Sequence, residues 1–227
     1  MKRSLALALL AAFGLVLLMA ILAAHPDLDL AIARRFYAME GESFGARSDG
    51  LLIVLRDLGY YLPIALLALA CLGWLRGRWS PAAAKVFTGR RILFLALSFA
   101  IGPGLIVNAV LKDVSHRPRP AQVEEFGGSS AFRPWYAFDG VCAKNCSFAS
   151  GEVAGATWLL APASLAPPAW RALALTGAAL FAAVVGVLRM AFGGHFASDV
   201  VAAALVTLAC ILGLGWGLRR RRAAPPL

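Results

Sequence analysis

The sequence predicts an all-α, polytopic membrane protein, a bundle of six transmembrane helices forming one domain over residues 1–227. Three observations predict this fold class. Hydrophobic residues make up 60% of the chain, and the mean hydropathy of +0.74 excludes an ordinary soluble domain. Six apolar runs approach the roughly 20 residues that a membrane span requires. The charged residues, 15% of the chain, fall mostly between these runs or at their ends.

The six predicted spans cover residues 4–24, 54–75, 92–111, 151–166, 172–188 and 199–218. The first follows Met-Lys-Arg, as the apolar core of a signal peptide does. It is longer than the usual core of about 7–15 residues, and no clear A-x-A site precedes His25, which favours a retained span over a cleaved signal. The fourth and fifth runs are short and rich in alanine, so their ends are the least sharply defined.

Charge asymmetry predicts the orientation of the bundle. If the amino terminus is cytoplasmic, the cytoplasmic segments hold twelve lysine and arginine residues and no acidic residue. This is a strong positive-inside bias, so both termini are expected in the cytoplasm. The net charge of +10 then reflects topology and contact with membrane lipids. Arg219–Arg222 directly follows a span and is interpreted as a membrane anchor, so no nucleic-acid partner is expected.

Two outward segments have predicted roles. Between the first two spans, Leu28, Ile32 and Phe36 recur at helical spacing. They predict a short amphipathic helix on the outer bilayer surface. The longest polar stretch lies at about 112–150. A loop that long in a compact protein usually has a function.

The four cysteines fall into two kinds. Cys71 and Cys210 lie inside apolar runs, where cysteine usually behaves as a small hydrophobic residue. Cys142 and Cys146 lie four positions apart in the outward loop, and in an oxidising compartment this spacing favours a local disulfide. A zinc pair and free thiols are the alternatives. No further ligands accompany the pair, so no metal site is predicted.

Polar residues occur where the predicted spans meet the outer side. Lys112 ends the third span, Ser150 begins the fourth, Arg189 ends the fifth and Asp199 begins the sixth. Cations near span ends generally prefer the cytoplasm, so their convergence on the other side calls for an anionic ligand. Lys112, Arg119 and Arg189 together match the oxygens of a phosphate ester. The sequence therefore predicts a lipid phosphate as substrate.

The remaining candidates supply a phosphate cradle and a nucleophile. Ser150 and Gly151 open a helix, where free N–H groups and the positive end of the dipole receive an anion. His195 and Asp199 stand at i and i+4 on one predicted helix face. The carboxylate would hold one ring nitrogen protonated, leaving the other free to attack phosphorus. Taken one at a time, each of these residues could have a structural role, such as a membrane anchor or a helix cap. Their location on the same side of the membrane and their spacing together indicate catalysis.

These motifs resemble those of the type 2 phosphatidic acid phosphatase superfamily. That family has a Lys, six residues, then Arg-Pro, as in Lys112 to Arg119-Pro120. Its second motif is Pro-Ser-Gly-His, where this chain has Ala149-Ser150-Gly151-Glu152. Its third is Ser-Arg, five residues, His, three residues, Asp, matched here by Leu188-Arg189, His195 and Asp199. The resemblance also covers the six-span layout with outward motifs.

The resemblance implies a mechanism through a phosphohistidine, without a metal or other cofactor. His195 would attack phosphorus, Asp199 would orient it, and the phosphoryl oxygens would be held by Lys112, Arg119, Ser150, Gly151 and Arg189. The family histidine that protonates the leaving group is replaced by Glu152. The general acid is expected to be Glu152, with His116 or no dedicated acid as alternatives. Glu152 as a structural partner of Arg119 or Arg189 is a further interpretation.

The stretch from Cys142 to Glu152 also resembles a bacterial subgroup that includes lipid A phosphatases. The expected protein is therefore a bacterial inner-membrane phosphatase with a periplasmic active site, acting on lipid A or a precursor. Undecaprenyl pyrophosphate and phosphatidylglycerol phosphate are alternative substrates. A lipid phosphotransferase and a non-catalytic lipid-phosphate binding or transport protein are the rival functions. The oligomeric state is left open by the sequence.

Overall fold

A computed structural model describes the backbone of residues 2–39 and 43–223 and the side chains of residues 6–37, 43–46 and 48–218. This part of the chain is helical and contains no β-strand, which confirms the predicted all-α class. The helices, in order, are α1 (Lys2–Ala24), α2 (Asp27–Met39), α3 (Gly50–Arg76), α4 (Pro81–Val86), α5 (Gly89–Phe99), α6 (Lys112–Val114), α7 (Gly151–Trp158), α8 (Leu160–Ser164), α9 (Pro168–Ala191) and α10 (Ala197–Ala223). A π-helical segment, Ala100–Leu111, joins α5 to α6.

Within the described residues, five helices are long and apolar enough to cross a membrane. They are Ala6–Ala24, Gly50–Arg76, Gly89–Val114, Pro168–Ala191 and Ala197–Leu218. Large apolar side chains on them face outward, such as Phe13 and Leu180, which are 68% and 63% exposed. A helix that is apolar all round is typical of a membrane span. These helices confirm a polytopic membrane protein and match five of the six predicted runs.

The fourth predicted run, 151–166, forms the short helices α7 and α8 instead of one long span. Pro162 lies inside this run and has no N–H for a helical hydrogen bond, so the helix is interrupted near Leu159. The two helices together extend only about 21 Å at 1.5 Å per residue, less than the roughly 30 Å hydrocarbon core. The predicted count of six spans is therefore not confirmed.

Helix α7 lies at the centre of the bundle. It packs against α3, α9, α10 and the π-helical segment. Val153, Ala154, Ala156 and Trp158 on it are at most 1% exposed. The small residues that made this run a weak span in the sequence allow close approach of neighbouring helices. This packing fixes the position of the amino-terminal end of α7 relative to the other helices.

The third span carries the π-helical segment in the half that lies nearer to the end at Val114. Pro103 lies inside this segment, and its ring removes one backbone donor from the helical ladder. The Asn108 side-chain amide donates a hydrogen bond to the Pro103 carbonyl oxygen at 2.7 Å, which satisfies an acceptor within the widened turn. Such π-helical turns occur frequently at functional sites.

Helix α2 forms where the sequence predicted it, but its buried face differs from the expected one. Leu28 and Ile32 are only half-buried, whereas Asp29 and Ala33 are 1% and 2% exposed. The reason is that the long outward loop folds over α2. An apolar cluster joins Ala33 of α2 to Val123 and Phe126 of the loop, and it also includes Phe44 and Phe196. The helix is thus part of the folded core at this end of the bundle.

The side chains of Lys2, Arg3 and Arg219–Arg222, which carry much of the predicted cytoplasmic charge, lie outside the described part of the chain. Residues 224–227 lie outside it too.

Candidate active site

A cavity of about 480 Å³ opens between α3, the third span, the outward loop, α7 and α9. Six of the predicted site residues line it, namely Lys112, Arg119, Gly151, Glu152, Arg189 and His195. Ser150 and Asp199 do not line it; both are fully buried, and the Ser150 N–H donates to the Asp199 carbonyl oxygen at 3.3 Å. Segments far apart in the sequence thus meet in one concave site, as the motifs predicted.

The two cations of the first motif are held by one residue of the outward loop, Asn145. The Lys112 ammonium donates to the Asn145 side-chain oxygen at 3.2 Å. Arg119 Nε and Nη2 donate to the Asn145 carbonyl oxygen at 3.2 and 2.9 Å. Asn145 adopts a φ of +53°, a conformation that asparagine tolerates better than most residues. It lies in the loop that a disulfide closes between Cys142 and Cys146.

The amino-terminal end of α7 faces the same cavity. Gly151 packs so closely on Asn108 that a β-carbon at position 151 would overlap the Asn108 side-chain amide. A side chain at position 151 would have to displace the amide of Asn108, and Gly151 itself lines the cavity. The Ser150 hydroxyl does not cap α7 and has no hydrogen-bond partner among the residues the structure describes. Both features suit an anion at a helix amino terminus.

Glu152 lies between two arginines. Its Oε2 is 2.8 Å from Nε of Arg189, and its Oε1 is 3.4 Å from Nη2 of Arg56. Arg56 comes from α3 and also lines the cavity. The ionised carboxylate is the form that pairs with guanidinium groups. The structure therefore places Glu152 as an ion-pair partner of Arg189, one of the interpretations of the sequence, and adds a fourth cation to the cavity wall.

His195 is held by a backbone carbonyl. Its Nδ1 lies 2.7 Å from the Ser147 carbonyl oxygen and 3.8 Å from Asp199 Oδ2, the second distance being beyond hydrogen-bond range. A carbonyl only accepts, so Nδ1 carries the proton and Nε2 keeps its lone pair. The predicted hydrogen bond from the His195 ring to Asp199 is replaced because α10 begins only at Ala197, after a turn in which Gly193 has a φ of +58°. Histidine and aspartate therefore do not stack on one helix face.

The environment of His195 favours a neutral ring. The side chain is 2% exposed. The pKa of His195 is lowered from 6.5 to about 4, mainly by burial and also by the cations Arg189 and Arg119, while Asp199 opposes the shift. A neutral imidazole with a free Nε2 is the reactive form of a histidine nucleophile.

His116 lies outside the cavity. Its side chain is exposed, and its Nδ1 lies 3.0 Å from the Cys142 carbonyl oxygen. The backbone φ of +47° at this position directs the chain away from a regular helical path after α6. The predicted role of His116 in binding substrate or donating a proton is not supported by this position.

Residues 91–223 match the PAP2 superfamily. The chain belongs to the PAP2 superfamily. The family resemblance that the three motifs indicated is thus confirmed. A lipid A 4'-phosphatase of Francisella tularensis subsp. novicida is 37% identical to this chain over 177 residues, which are 78% of this chain and 79% of that protein.

A lipid A 4'-phosphatase of Rhizobium etli is 30% identical over 87% of this PAP2 chain and 82% of its own length. That of Rhizobium leguminosarum is 40% identical over 50% of each chain. No solved structure matches the chain.

Several residues of the PAP2 site were missed by sequence reasoning. Arg56 and Asn145 contact the predicted residues in the cavity wall. Arg117, Ser147 and Asp29 form a buried layer behind it. Arg117 offered one signal, since it is a second arginine beside the motif arginine at 119. Among the described residues, no group of three or more His, Cys, Asp or Glu side chains is arranged to share a metal ion.

Proposed function

We propose that this protein, a lipid phosphatase of the PAP2 superfamily, hydrolyses the 4'-phosphate ester of lipid A or of a lipid A precursor. The observation that carries the proposal is the convergence of His195 with Lys112, Arg119 and Arg189 in one cavity. The position of the phosphate on the substrate is suggested by the similar proteins, which are named lipid A 4'-phosphatases. Undecaprenyl pyrophosphate and phosphatidylglycerol phosphate are the alternative substrates.

In the first step Nε2 of His195 attacks phosphorus. The new P–N bond forms as the P–O bond to the sugar breaks, and the leaving oxygen takes up a proton to become a hydroxyl. The ring becomes cationic, with Nδ1–H still donating to the Ser147 carbonyl oxygen at 2.7 Å. This hydrogen bond keeps the ring in the tautomer and orientation that the attack requires.

In the second step a water molecule attacks the phosphohistidine. The P–N bond breaks, its electron pair returns to Nε2, and the proton lost by water leaves through a basic group of the site. The products are inorganic phosphate and the neutral imidazole. The lowered pKa of His195, about 4, favours return to the neutral ring and so completes the cycle.

Lys112, Arg119 and Arg189 bind the phosphoryl oxygens throughout. A phosphoryl group in transfer spreads negative charge over three equatorial oxygens. Cations held in advance stabilise that charge without reorganising during the reaction. Asn145 holds Lys112 and Arg119 in this way, and Glu152 holds Arg189. Gly151, which lines the cavity, adds the amino terminus of α7 to the same anion site.

Glu152 carries the proton to the leaving group, and the bound phosphate enables it to do so. In the substrate-free site its carboxylate pairs with Arg189 and Arg56. A phosphate on Arg189 competes with that ion pair, which frees the carboxyl group of Glu152 to act on the leaving oxygen. The same carboxylate, once ionised, is suited to accept the proton from the attacking water. The alternative is that Glu152 only positions the arginines.

The active site faces the periplasm in this proposal, and both termini are cytoplasmic. The support is the positive-inside bias of the sequence together with the place of the cavity at the end of the bundle where Gly50, Val114, Ala191 and Ala197 end the long helices. A disulfide between Cys142 and Cys146 at that end agrees with an oxidising compartment.

The direct test measures inorganic phosphate released by the purified protein in detergent from lipid A, undecaprenyl pyrophosphate and phosphatidylglycerol phosphate. Mass spectrometry of the lipid A product identifies which phosphate is lost. We expect the 4'-phosphate to be removed and His195→Ala to release none above background. Preferred hydrolysis of another lipid would overturn the substrate assignment. Normal turnover by His195→Ala would overturn the covalent mechanism.

Two rival functions are separated by the same preparation. A phosphotransferase would move labelled phosphate from lipid A to an added acceptor lipid, whereas a hydrolase releases it as inorganic phosphate. A non-catalytic binding protein would retain lipid A without changing it. The retained nucleophile His195 beside three cations favours catalysis over binding alone.

A further inference from the structure

We propose that Asp29 and Arg117 are positioning residues that support the nucleophile from behind, an inference that rests on the proposed role of His195. Neither side chain lines the cavity, and both are buried, with 1% and 0% exposed. They link helix α2, which precedes the matched residues 91–223, to the residues that hold the reactive ring.

Arg117 is the centre of this buried cluster. Nη1 donates to Asp199 Oδ1 at 2.5 Å and to the Ser198 hydroxyl at 2.8 Å. Nη2 donates to Asp29 Oδ2 at 2.8 Å, and Nε donates to the Arg133 carbonyl oxygen at 2.8 Å. A buried charge is costly unless it is paired and hydrogen-bonded, and every nitrogen of this guanidinium group has such a partner.

The plane of the guanidinium group is also fixed. Its carbon lies 4.3 Å from the centroid of the Phe196 ring and 5.5 Å from that of Phe132. Phe196 directly follows the nucleophile His195 in the chain. Aromatic stacking and a rigid set of donors suit arginine and not lysine. Arg117 therefore holds the turn that contains His195 in position.

Asp29 is the second anchor of Arg117. Besides Arg117 Nη2, it accepts hydrogen bonds from the Ser198 backbone N–H at 2.9 Å and from the Ser198 hydroxyl at 2.5 Å. Ser198 lies in the first turn of α10. A carboxylate is favoured at the amino terminus of a helix. Asp29 thus fastens α2 to the start of the helix that contains Asp199.

Both supports of the imidazole depend on Arg117. The Ser147 carbonyl oxygen that holds His195 belongs to a residue whose N–H donates to the Arg117 carbonyl oxygen at 2.9 Å. The Ser147 hydroxyl donates to Asp199 Oδ2 at 2.5 Å, and the other oxygen of Asp199 pairs with Arg117. The backbone of Arg117 therefore positions the Ser147 carbonyl group, and its side chain positions Asp199, which accepts from the Ser147 hydroxyl. Both contacts affect the imidazole through Ser147.

The cluster also has a charge that suits the intermediate. With both carboxylates ionised, Asp29 and Asp199 bring two negative charges against the single positive charge of Arg117. The excess negative charge lies beside His195, whose ring becomes cationic when it is phosphorylated. The Asp199 carboxylate lies 3.8 Å from Nδ1 of His195. A negative charge this close to a cationic ring in a buried site stabilises the phosphorylated form. Removing the charge of Asp29 leaves Arg117 to pair with Asp199 alone and weakens that stabilisation.

The test compares Asp29→Asn with a matched control, Asp27→Asn. Asp27 is an exposed residue of the same helical turn, so the control removes one charge from α2 without touching the cluster. We expect Asp29→Asn to lower kcat roughly 10- to 100-fold, the range seen for outer partners of metal ligands. KM should change less than about twofold, because Asp29 does not contact substrate. Asp27→Asn should match the wild type.

A second measurement separates positioning from loss of fold. Rapid-quench trapping of acid-labile phosphoenzyme should show slower formation in Asp29→Asn, while the inhibition constant of inorganic phosphate and the thermal unfolding midpoint in detergent stay close to wild type. Arg117→Lys keeps the charge but loses the fixed set of donors, and it should show the same split between kcat and KM.

Three outcomes decide the inference. A fall in kcat alone for Asp29→Asn, with His195→Ala inactive, supports it. Wild-type kinetics for Asp29→Asn, or an equal loss of kcat, phosphate affinity and thermal stability, would overturn it while the proposed function stands. Turnover by His195→Ala would overturn the proposed function itself, and the positioning role with it.

Discussion

His195 Nδ1 lies 2.7 Å from the Ser147 carbonyl oxygen, whereas the nearest oxygen of Asp199 is 3.8 Å away. The nucleophile is therefore oriented by a neutral acceptor, and the carboxylate acts through the Ser147 hydroxyl at 2.5 Å. Such an arrangement fixes the proton on Nδ1 without drawing it toward a charged base. It leaves Nε2 as the ring nitrogen for covalent chemistry.

The pH dependence of turnover follows from this arrangement. Burial holds the pKa of His195 at about 4, below its ordinary value of 6.5. The reactive neutral ring should therefore persist as the pH falls through 6.5 and be lost only near pH 4. We expect the acid limb of kcat/KM that belongs to His195 to lie near pH 4. A limb near 6.5 that does not shift with the phosphate pKa of the lipid substrate would contradict this prediction.

The free energy of unfolding should depend on pH because of the same shift in the pKa of His195. Because the folded-state pKa of His195 is depressed, the unfolded chain binds more protons between about pH 4 and 6.5. The free energy of unfolding should therefore fall as the pH decreases through this window. Thermal unfolding in detergent should show a smaller decrease for His195→Asn than for the wild type. An equal decrease in both proteins would show that His195 does not contribute.

The role of Glu152 as general acid is tested by comparing substrates with different leaving groups. If Glu152 protonates the departing oxygen, Glu152→Gln should lower kcat most for a poor leaving group such as a sugar hydroxyl. It should lower kcat least for a pyrophosphate or an aryl phosphate, which need less acid assistance. Glu124→Gln, at an exposed position of the outward loop, is the matched control. A uniform loss across all substrates would indicate that Glu152 only positions Arg189 and Arg56.

Asn145 is expected to act on substrate binding. Asn145→Gly keeps the backbone conformation with a φ of +53° and removes only the side-chain contact to Lys112. We expect KM to rise about 3- to 10-fold with little change in kcat, since a hydrogen bond to a charged group contributes about 1.5–3 kcal/mol and part of it is replaced by water. Lys144→Ala, next to it on the exposed loop, should leave KM unchanged. A fall in kcat alone would contradict the role.

The predicted sidedness is tested by labelling single introduced cysteines in right-side-out membrane vesicles. Glu125→Cys, on the outward loop, should react with a membrane-impermeant maleimide. Trp79→Cys, which replaces a residue that is 80% exposed in the loop after α3, should react only after detergent is added. The wild type, with Cys71 and Cys210 as its free cysteines, reports the background. The opposite pattern would place the active site in the cytoplasm.

The sequence predicted the parts of the fold and of the site that depend on local patterns. Long apolar runs predicted five helices, and the motif cations Lys112, Arg119 and Arg189 do meet at one cavity. The run from 151 to 166 is not confirmed as a span, because Pro162 divides it into two short helices and its small residues pack at the centre of the bundle.

The buried layer behind the site was not predictable from the sequence. The amphipathic pattern of Leu28, Ile32 and Phe36 did not show that Asp29 is buried, since nothing local indicates that the outward loop covers it. Apart from its place next to the motif arginine at 119, nothing in the sequence showed that Arg117 is buried, because its partners Asp29 and Asp199 lie 88 and 82 positions away. Long-range pairing of this kind appears only when the chain is folded.

The most direct test of the account is to trap the covalent intermediate. The purified protein is mixed with lipid A carrying radiolabelled phosphate, quenched within one turnover, and analysed for protein-bound label. We predict label that is lost in acid and kept in alkali, as expected for a phosphohistidine, in the wild type and not in His195→Ala. Label on another residue, or rapid phosphate release by His195→Ala, would contradict His195 as the nucleophile.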